Sequence, residues 1–163
     1  MQRVISNSSP IIHLAKIDQL DLLKEYFGTL TVPESVYNEC VADGKERPEA
    51  LLIKNAEWIE VVQAQDEKLI KLLRSSLDNG ESEAISLAIE TGADLILLDD
   101  SDAREKARLY NLNITGTVGI LLRAKKDGKI HSFKELLKKL KETGFWVSND
   151  LEARLITETG ETL

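Results

Sequence analysis

Residues 80–130 read GESEAISLAIETGADLILLDDSDAREKARLYNLNITGTVGILLRAKKDGKI, and the order of patterns within them decides the fold. Helical periodicity from about Glu81 to Thr91, with Ala84, Ile85, Leu87, Ala88 and Ile89 on a wide apolar face, gives way to LILL at 95–98. That run is apolar at every position, as a parallel strand buried on both faces requires. Two acids, Asp99 and Asp100, follow at once. Ser101 is the expected cap of a helix carrying Ala103, Ala107 and Tyr110. Leu112–Ile114 is a further strand, and GTVGILLRA opens another helix that Gly128 ends. Helix, strand, helix, strand, helix is the sequence form of a parallel sheet with helices on both faces.

The remainder of the chain extends the same alternation. Upstream strand candidates are Val4–Ser6, Leu30–Val32 and Trp58–Val62; the last alternates in part and belongs nearer an edge. Ser9 and Pro10 read as cap and first-turn proline of a helix with Ile11, Leu14 and Ala15 on one face. Asp18 is the expected cap of a second helix, which Gly28 stops. Pro33 opens a third, whose stripe of Val36, Tyr37, Cys40 and Val41 leaves Glu39 at its edge. Residues 43–48 carry turn residues without a period and read as a loop. Downstream, Ser132 caps the amphipathic FKELLKKLKE, and Ser148 and Asp150 start a last helix, LEARLI. No linker divides the chain, so residues 1–163 form one expected domain.

With 42% hydrophobic residues in a chain of 163, a core can form without staples. One cysteine, Cys40, allows no internal disulfide, and two histidines without ligand spacing allow no zinc cluster. A reducing cytoplasm is the expected compartment. The first apolar run is too short for a signal peptide, and no stretch approaches a membrane span. The net charge of −7 opposes non-specific coating of nucleic acid. Its distribution is polarised: residues 123–142 hold eight Lys or Arg against three acids, a local +5 that leaves −12 elsewhere. Such a run is either a solvated face of paired charges or an RNA grip.

In an open parallel sheet, ligands sit beyond the carboxyl ends of the strands where strand order reverses. Asn7 follows the first strand, and Asp99 with Asp100 follows the fourth. If those strands are neighbours, these residues meet across the switch point, and Glu39 and Glu83 can close the ring. Carboxylates without histidine or thiol suit a hard cation, Mg²⁺ or Mn²⁺. Such an ion supports phosphodiester hydrolysis by activating water. Plainer roles exist for each residue. Glu81 and Glu83 lie in a helix's first turn, where the helix dipole favours any acid. Asp99 and Asp100 can serve a turn and a cap, Glu39 can simply be solvated, and Asn7 can form an Asx turn and cap the helix opened by Pro10. Two adjacent acids after a buried strand nonetheless raise each other's pKa unless a cation neutralises them.

ISNSSPIIHLAKIDQLDLLKEYFGTLTVPESVYNEC, with the long block quoted first, resembles the PIN-domain superfamily over nearly the whole chain. More closely it is similar to a prokaryotic subfamily of unknown function described as predicted nucleic-acid binding and related to toxin–antitoxin ribonucleases. The resemblance implies a three-layer α/β/α sandwich around a parallel sheet of order 3-2-1-4-5. It also implies a Mg²⁺ or Mn²⁺ pocket in which the helix glutamate falls on Glu39, the next acid on Glu83, and the post-strand aspartate on Asp100 or Asp99. The family's first aspartate falls on Asn7, where the chain departs from the pattern. An amide oxygen can ligate an ion but brings no charge.

The leading expectation is a metal-dependent ribonuclease in which Glu39, Glu83, Asp99 and Asp100 hold the ion and Asn7 orients a ligand or water. Arg104, Arg123, Lys125 and Lys126 are the expected RNA-steering cations. The alternative is a degenerate PIN module that binds RNA or a protein without cleavage, which Asn7 favours. A third reading has an antitoxin-like partner block the pocket, and the resemblance implies that a homodimer is common. A nucleotide hydrolase is disfavoured, because no phosphate loop of the GxxxxGK type is present.

Overall fold

The computed structural model describes residues 2–163. Five short parallel strands, β1 (Val4–Ser6), β2 (Leu30–Val32), β3 (Ile59–Val61), β4 (Leu95–Leu97) and β5 (Ile114–Thr115), form one sheet of order β3-β2-β1-β4-β5. Ile5 lies opposite Thr31 on one side and Ile96 on the other, so β1 is central and chain direction reverses its march between β1 and β4. Strands this short cannot hold a sheet by ladder bonds alone. Their stability comes from burial: Ile5 and Ile96 are fully enclosed, each worth about 1.5–3 kcal/mol relative to exposure.

Alternation along the strands divides the core in two. Val4 and Leu97 point to the larger layer, built from α1 (Ser8–Lys16), α2 (Asp21–Phe27), α3 (Glu34–Cys40), α4 (Pro48–Lys54), α8 (Thr117–Lys126), α9 (Phe133–Glu142) and α10 (Asn149–Glu158). Ile5, Ile96 and Leu98 point to the smaller layer of α5 (Glu67–Leu73), α6 (Asn79–Thr91) and α7 (Ser101–Leu109). The result is a PIN-like α/β/α sandwich. β3 is an edge strand, and Val61 is exposed there.

Several local expectations need correction. The cap of α1 is Asn7 rather than Ser9, since the helix starts one residue before the Ser-Pro pair. Asp18 does not cap α2; it takes a positive φ of 57° in the turn between α1 and α2, a conformation that Asp tolerates better than most residues. The fifth strand is Ile114–Thr115 rather than Leu112–Ile114. Asp100, not Ser101, caps α7 by accepting the Ala103 N–H at 3.0 Å. Ser132 and Ser148 do cap α9 and α10, accepting N–H groups from Glu135 and Leu151. Among the described residues no helix is long and apolar enough to cross a membrane.

Candidate active site

The site lies beyond the carboxyl ends of β1 and β4. Ser6 pairs with Leu97, and the Asn7 N–H donates to the Leu97 carbonyl at 3.1 Å, so Asn7 and Asp99 leave the sheet side by side. The two-residue period of the strand then separates the adjacent acids. Asp99 continues on the Leu97 side, toward α1 and α8, where it accepts from Ser9 Oγ (2.7 Å), Thr117 N–H (2.8 Å) and Thr117 Oγ1 (2.7 Å). Asp100 turns toward α7 and is exposed. Gly116 is required for this arrangement: a Cβ there would lie 2.6 Å from Asp99 Oδ1 and 2.9 Å from the Leu98 carbonyl oxygen.

Asn7 is 6% exposed, makes no side-chain cap bond, and its Oδ1 is buried without a hydrogen-bond partner. An orphaned acceptor of this kind costs about 1–3 kcal/mol unless a water or cation meets it. Beside it, Ser8 Oγ donates to Glu39 Oε2 at 2.8 Å. Glu39 Oε1 and Asn7 Oδ1 both point into the space that a Gly80 Cβ would fill, at 2.6 and 3.2 Å from it. Burial pushes the Glu39 carboxyl up, the charges of Asp78, Asp43 and Glu83 act in the same direction, and the Ser8 hydroxyl opposes them.

At the start of α6, Asp78 and Glu81 form a capping box: Asp78 Oδ1 accepts the Glu81 N–H at 2.8 Å, and Glu81 Oε1 accepts the Asp78 N–H at 3.1 Å. Glu81 is also buried, at 8% exposure. Burial, aided by the charges of Asp78 and Asp100 and opposed by the Asp78 backbone bond, pushes its carboxyl up to about 7.

These groups surround a cleft of about 360 Å³ whose walls include Asn7, Ser8, Ser9, Asp78, Glu81, Asp99 and Asp100, with His13 and the loop Gly144–Trp146 at the rim. Every charged side chain lining it is an acid. Glu39 stands behind Asn7. Glu83 does not open into this cleft; it takes the Ser35 hydroxyl and faces the adjoining one, with Lys71 and Arg74. Among the described residues no three His, Cys, Asp or Glu side chains converge closely enough to hold an ion by themselves. Asn7, among these acids, is a neutral donor. A further cleft, of about 390 Å³ between α2 and α4, lies at the amino ends of the strands and does not include these acids.

The expected RNA-steering cations lie elsewhere. Thr117 begins α8 at the site, whereas Arg123, Lys125 and Lys126 end it, and each has an intramolecular partner. Arg123 covers the Tyr26 ring at 4.0 Å and pairs with Asp127, Lys125 meets Glu161 at 3.4 Å, and Lys126 meets Glu158 at 3.4 Å. Arg104, one turn into α7, buries its Nε without a partner and does not line the cleft. From sequence Ser9 and Glu81 carry only helix-start roles, and Asp78 and Thr117 carry none. The D-x-x-E capping spacing of Asp78 and Glu81 was the available signal.

A family model described as PIN domain matches residues 3–161. Among solved structures, a PilT N-terminus domain protein from the hyperthermophilic archaeon Sulfolobus solfataricus P2 is similar at a TM-score of 0.50 and 18% identity, covering 74% of this chain and 92% of that one. Identity that low speaks for the fold alone. No curated protein matches the sequence.

Proposed function

Because this chain belongs to the PIN-domain family, we propose that it is a metal-dependent ribonuclease that hydrolyses RNA phosphodiester bonds in the cleft beyond β1 and β4. The observation that carries the reading is Asn7 Oδ1, a buried, unpartnered acceptor among acids at the switch point of a parallel sheet. An all-oxygen donor set of this kind fits a hard divalent cation, Mg²⁺ or Mn²⁺. Asn7, Asp99 and Asp100 would hold it, with Glu39 behind Asn7. When bound, such an ion supplies charge stabilisation at a phosphoryl oxygen and lowers the pKa of a water. The need for a cation also follows from the lining, since a phosphate entering an acidic cleft is otherwise repelled.

The chain's own groups have distinct tasks in this scheme. Ser9 and Thr117 fix the Asp99 carboxylate in one orientation, so no reorganisation is needed when substrate arrives. Glu81, with a proton affinity near neutrality, is suited to take the proton of an attacking water.

The test is incubation of a mixed-sequence RNA with wild type, Asp99→Asn, Asp100→Asn and Glu83→Gln in Mn²⁺ and in EDTA. Metal-dependent cleavage lost in Asp99→Asn and retained in Glu83→Gln is expected. Equal cleavage in wild type and Asp99→Asn would sink the assignment. A second reading, binding without cleavage, is favoured by the neutral Asn7 and by the lack of a three-acid cluster among the described residues. It predicts RNA retention with no product in any lane. An antitoxin-like partner would bind over the same cleft, and its coding sequence beside this one is the cheap check.

A further inference from the structure

Trp146 is 82% exposed, the most exposed large apolar side chain among the described residues, and it stands on the rim of the carboxylate cleft. Its position is built. After α9 the chain turns through Gly144, at φ 98°, with Thr143 N–H and Gly144 N–H donating to the Leu140 and Lys141 carbonyls. The next residues alternate: Phe145 points inward to meet His13 edge-on, with ring centroids 5.1 Å apart and planes at 84°, and Val147 is buried at 6%. Trp146, between two inward anchors, is driven outward. Thr143 Oγ1 gives its proton to the Leu140 carbonyl at 2.6 Å, so it accepts from His13 Nδ1 at 3.3 Å, and that bond fixes the imidazole against Phe145.

Resting on the hydrolytic reading above, we propose that Trp146, on the loop that Phe145 anchors against His13, is a stacking platform for one nucleobase of a single strand whose scissile phosphate occupies the carboxylate cleft. A solvent-facing indole beside a polar cleft offers a π-face to a base and is indifferent to which base it is. A protein segment with an apolar anchor fits less well, because seating it on Trp146 would also bury Asp78, Glu81, Asp99 and Asp100 against apolar surface. A nucleotide brings its own polar backbone to those acids and, with it, a cation. Lys138, exposed on α9 ahead of this loop, forms no ion pair among the described residues and would add attraction for neighbouring phosphates.

The experiment uses a Trp58→Phe background, in which Trp146 is the one remaining tryptophan of the two. An adenine RNA hexamer and an abasic hexamer of equal charge are titrated in Mg²⁺ with tryptophan emission as readout, and strand integrity is checked by gel afterwards. Quenching by the adenine hexamer alone is expected. In a parallel polarisation titration with labelled hexamer, Trp146→Ala should weaken binding roughly 10- to 100-fold and Trp146→Phe should largely restore it. Calorimetric Mn²⁺ binding is expected to be equal in Trp146→Ala and wild type. Equal quenching by the abasic strand, or unchanged affinity in Trp146→Ala, would overturn the platform and leave hydrolysis standing. Stacking without cleavage would overturn hydrolysis and leave the platform. Emission that shifts with protein concentration and not with RNA would reassign the face to a second copy of the chain.

Discussion

Replacing Gly80 by Ala separates the site from the fold. The new Cβ would stand 2.6 Å from Glu39 Oε1 and 3.2 Å from Asn7 Oδ1, and 3.4 Å from the Val36 side chain. The two polar contacts are ends of rotatable side chains, so the carboxylate and amide can swing away at little cost. Swinging Glu39 breaks the Ser8 bond, a loss of about 1 kcal/mol. Ala in a helix recovers about 0.5–1 kcal/mol over Gly. Net stability should therefore lie within about 1 kcal/mol of wild type by urea denaturation. Mn²⁺ affinity, measured by calorimetry, should fall at least tenfold, because Glu39 Oε1 is driven from its position and Asn7 Oδ1 is nudged with it, and cleavage should fall too. Unchanged Mn²⁺ affinity would refute the assignment of these oxygens to the ion. A stability loss of 3 kcal/mol or more would refute the claim that only flexible ends are displaced.

Asn7→Asp should tighten Mn²⁺ binding by restoring a charge, and should cost stability in EDTA, where that charge is buried beside Glu39; equal affinity by calorimetry would remove the idea. Glu81 has its folded pKa raised to about 7 by burial, so the stability tied to its protonated form is fully present below the unfolded value and is lost as pH rises through 7. Glu81→Gln keeps an acceptor for the Asp78 N–H and should be about 1–2 kcal/mol more stable than wild type at pH 8 and equal to it near pH 4; a difference that does not vary with pH would contradict this. Glu161 accepts from Phe133 N–H, Lys134 N–H and Ser132 Oγ at 2.7, 3.2 and 2.9 Å, and Glu161→Ala should cost about 1–3 kcal/mol in thermal or chemical unfolding. Partial burial pushes the Glu161 carboxyl up, but these donors and Lys125 outweigh it and hold the group below its ordinary value, so that contribution should fade only as pH drops below about 4.

The alternation of strand and helix was legible because it rests on long patterns, whereas the sheet order 3-2-1-4-5 followed from the resemblance to the PIN-domain superfamily. LILL followed by two acids, and a first strand followed by Asn7, put both groups at strand ends whatever the details of packing. The division of labour between Asp99 and Asp100 was not legible, since it depends on which face of β4 meets α1. Glu81 and Glu83 posed the same difficulty on a helix. Residues two apart point roughly 200° apart, so only one can face a given cleft, and the sequence does not say which. The seven-residue helices α4 and α5 escaped although α2 and α3 are no longer, because the Pro48 that opens α4 reads as the end of a loop and α5 has neither glycine nor proline at its ends. Whether the basic run is paired was not legible either, for a different reason. Its partners Glu158 and Glu161 lie more than thirty positions away from Lys125 and Lys126 and are brought close only by the fold of the C-terminal segment.

If a cation occupies the cleft as proposed, the neutral Asn7 bears on how the protein would acquire it. A buried ring of carboxylates demands a counter-ion before the chain can close around it, and folding and loading then become one event. Asn7 would loosen that tie: the chain could mature empty, with one unsatisfied oxygen at position 7 instead of a further buried charge, and load afterwards. Under the proposed chemistry, occupancy would then track the free cation of the surroundings, and a store of dormant enzyme could be roused or quieted by ion supply without being made or destroyed.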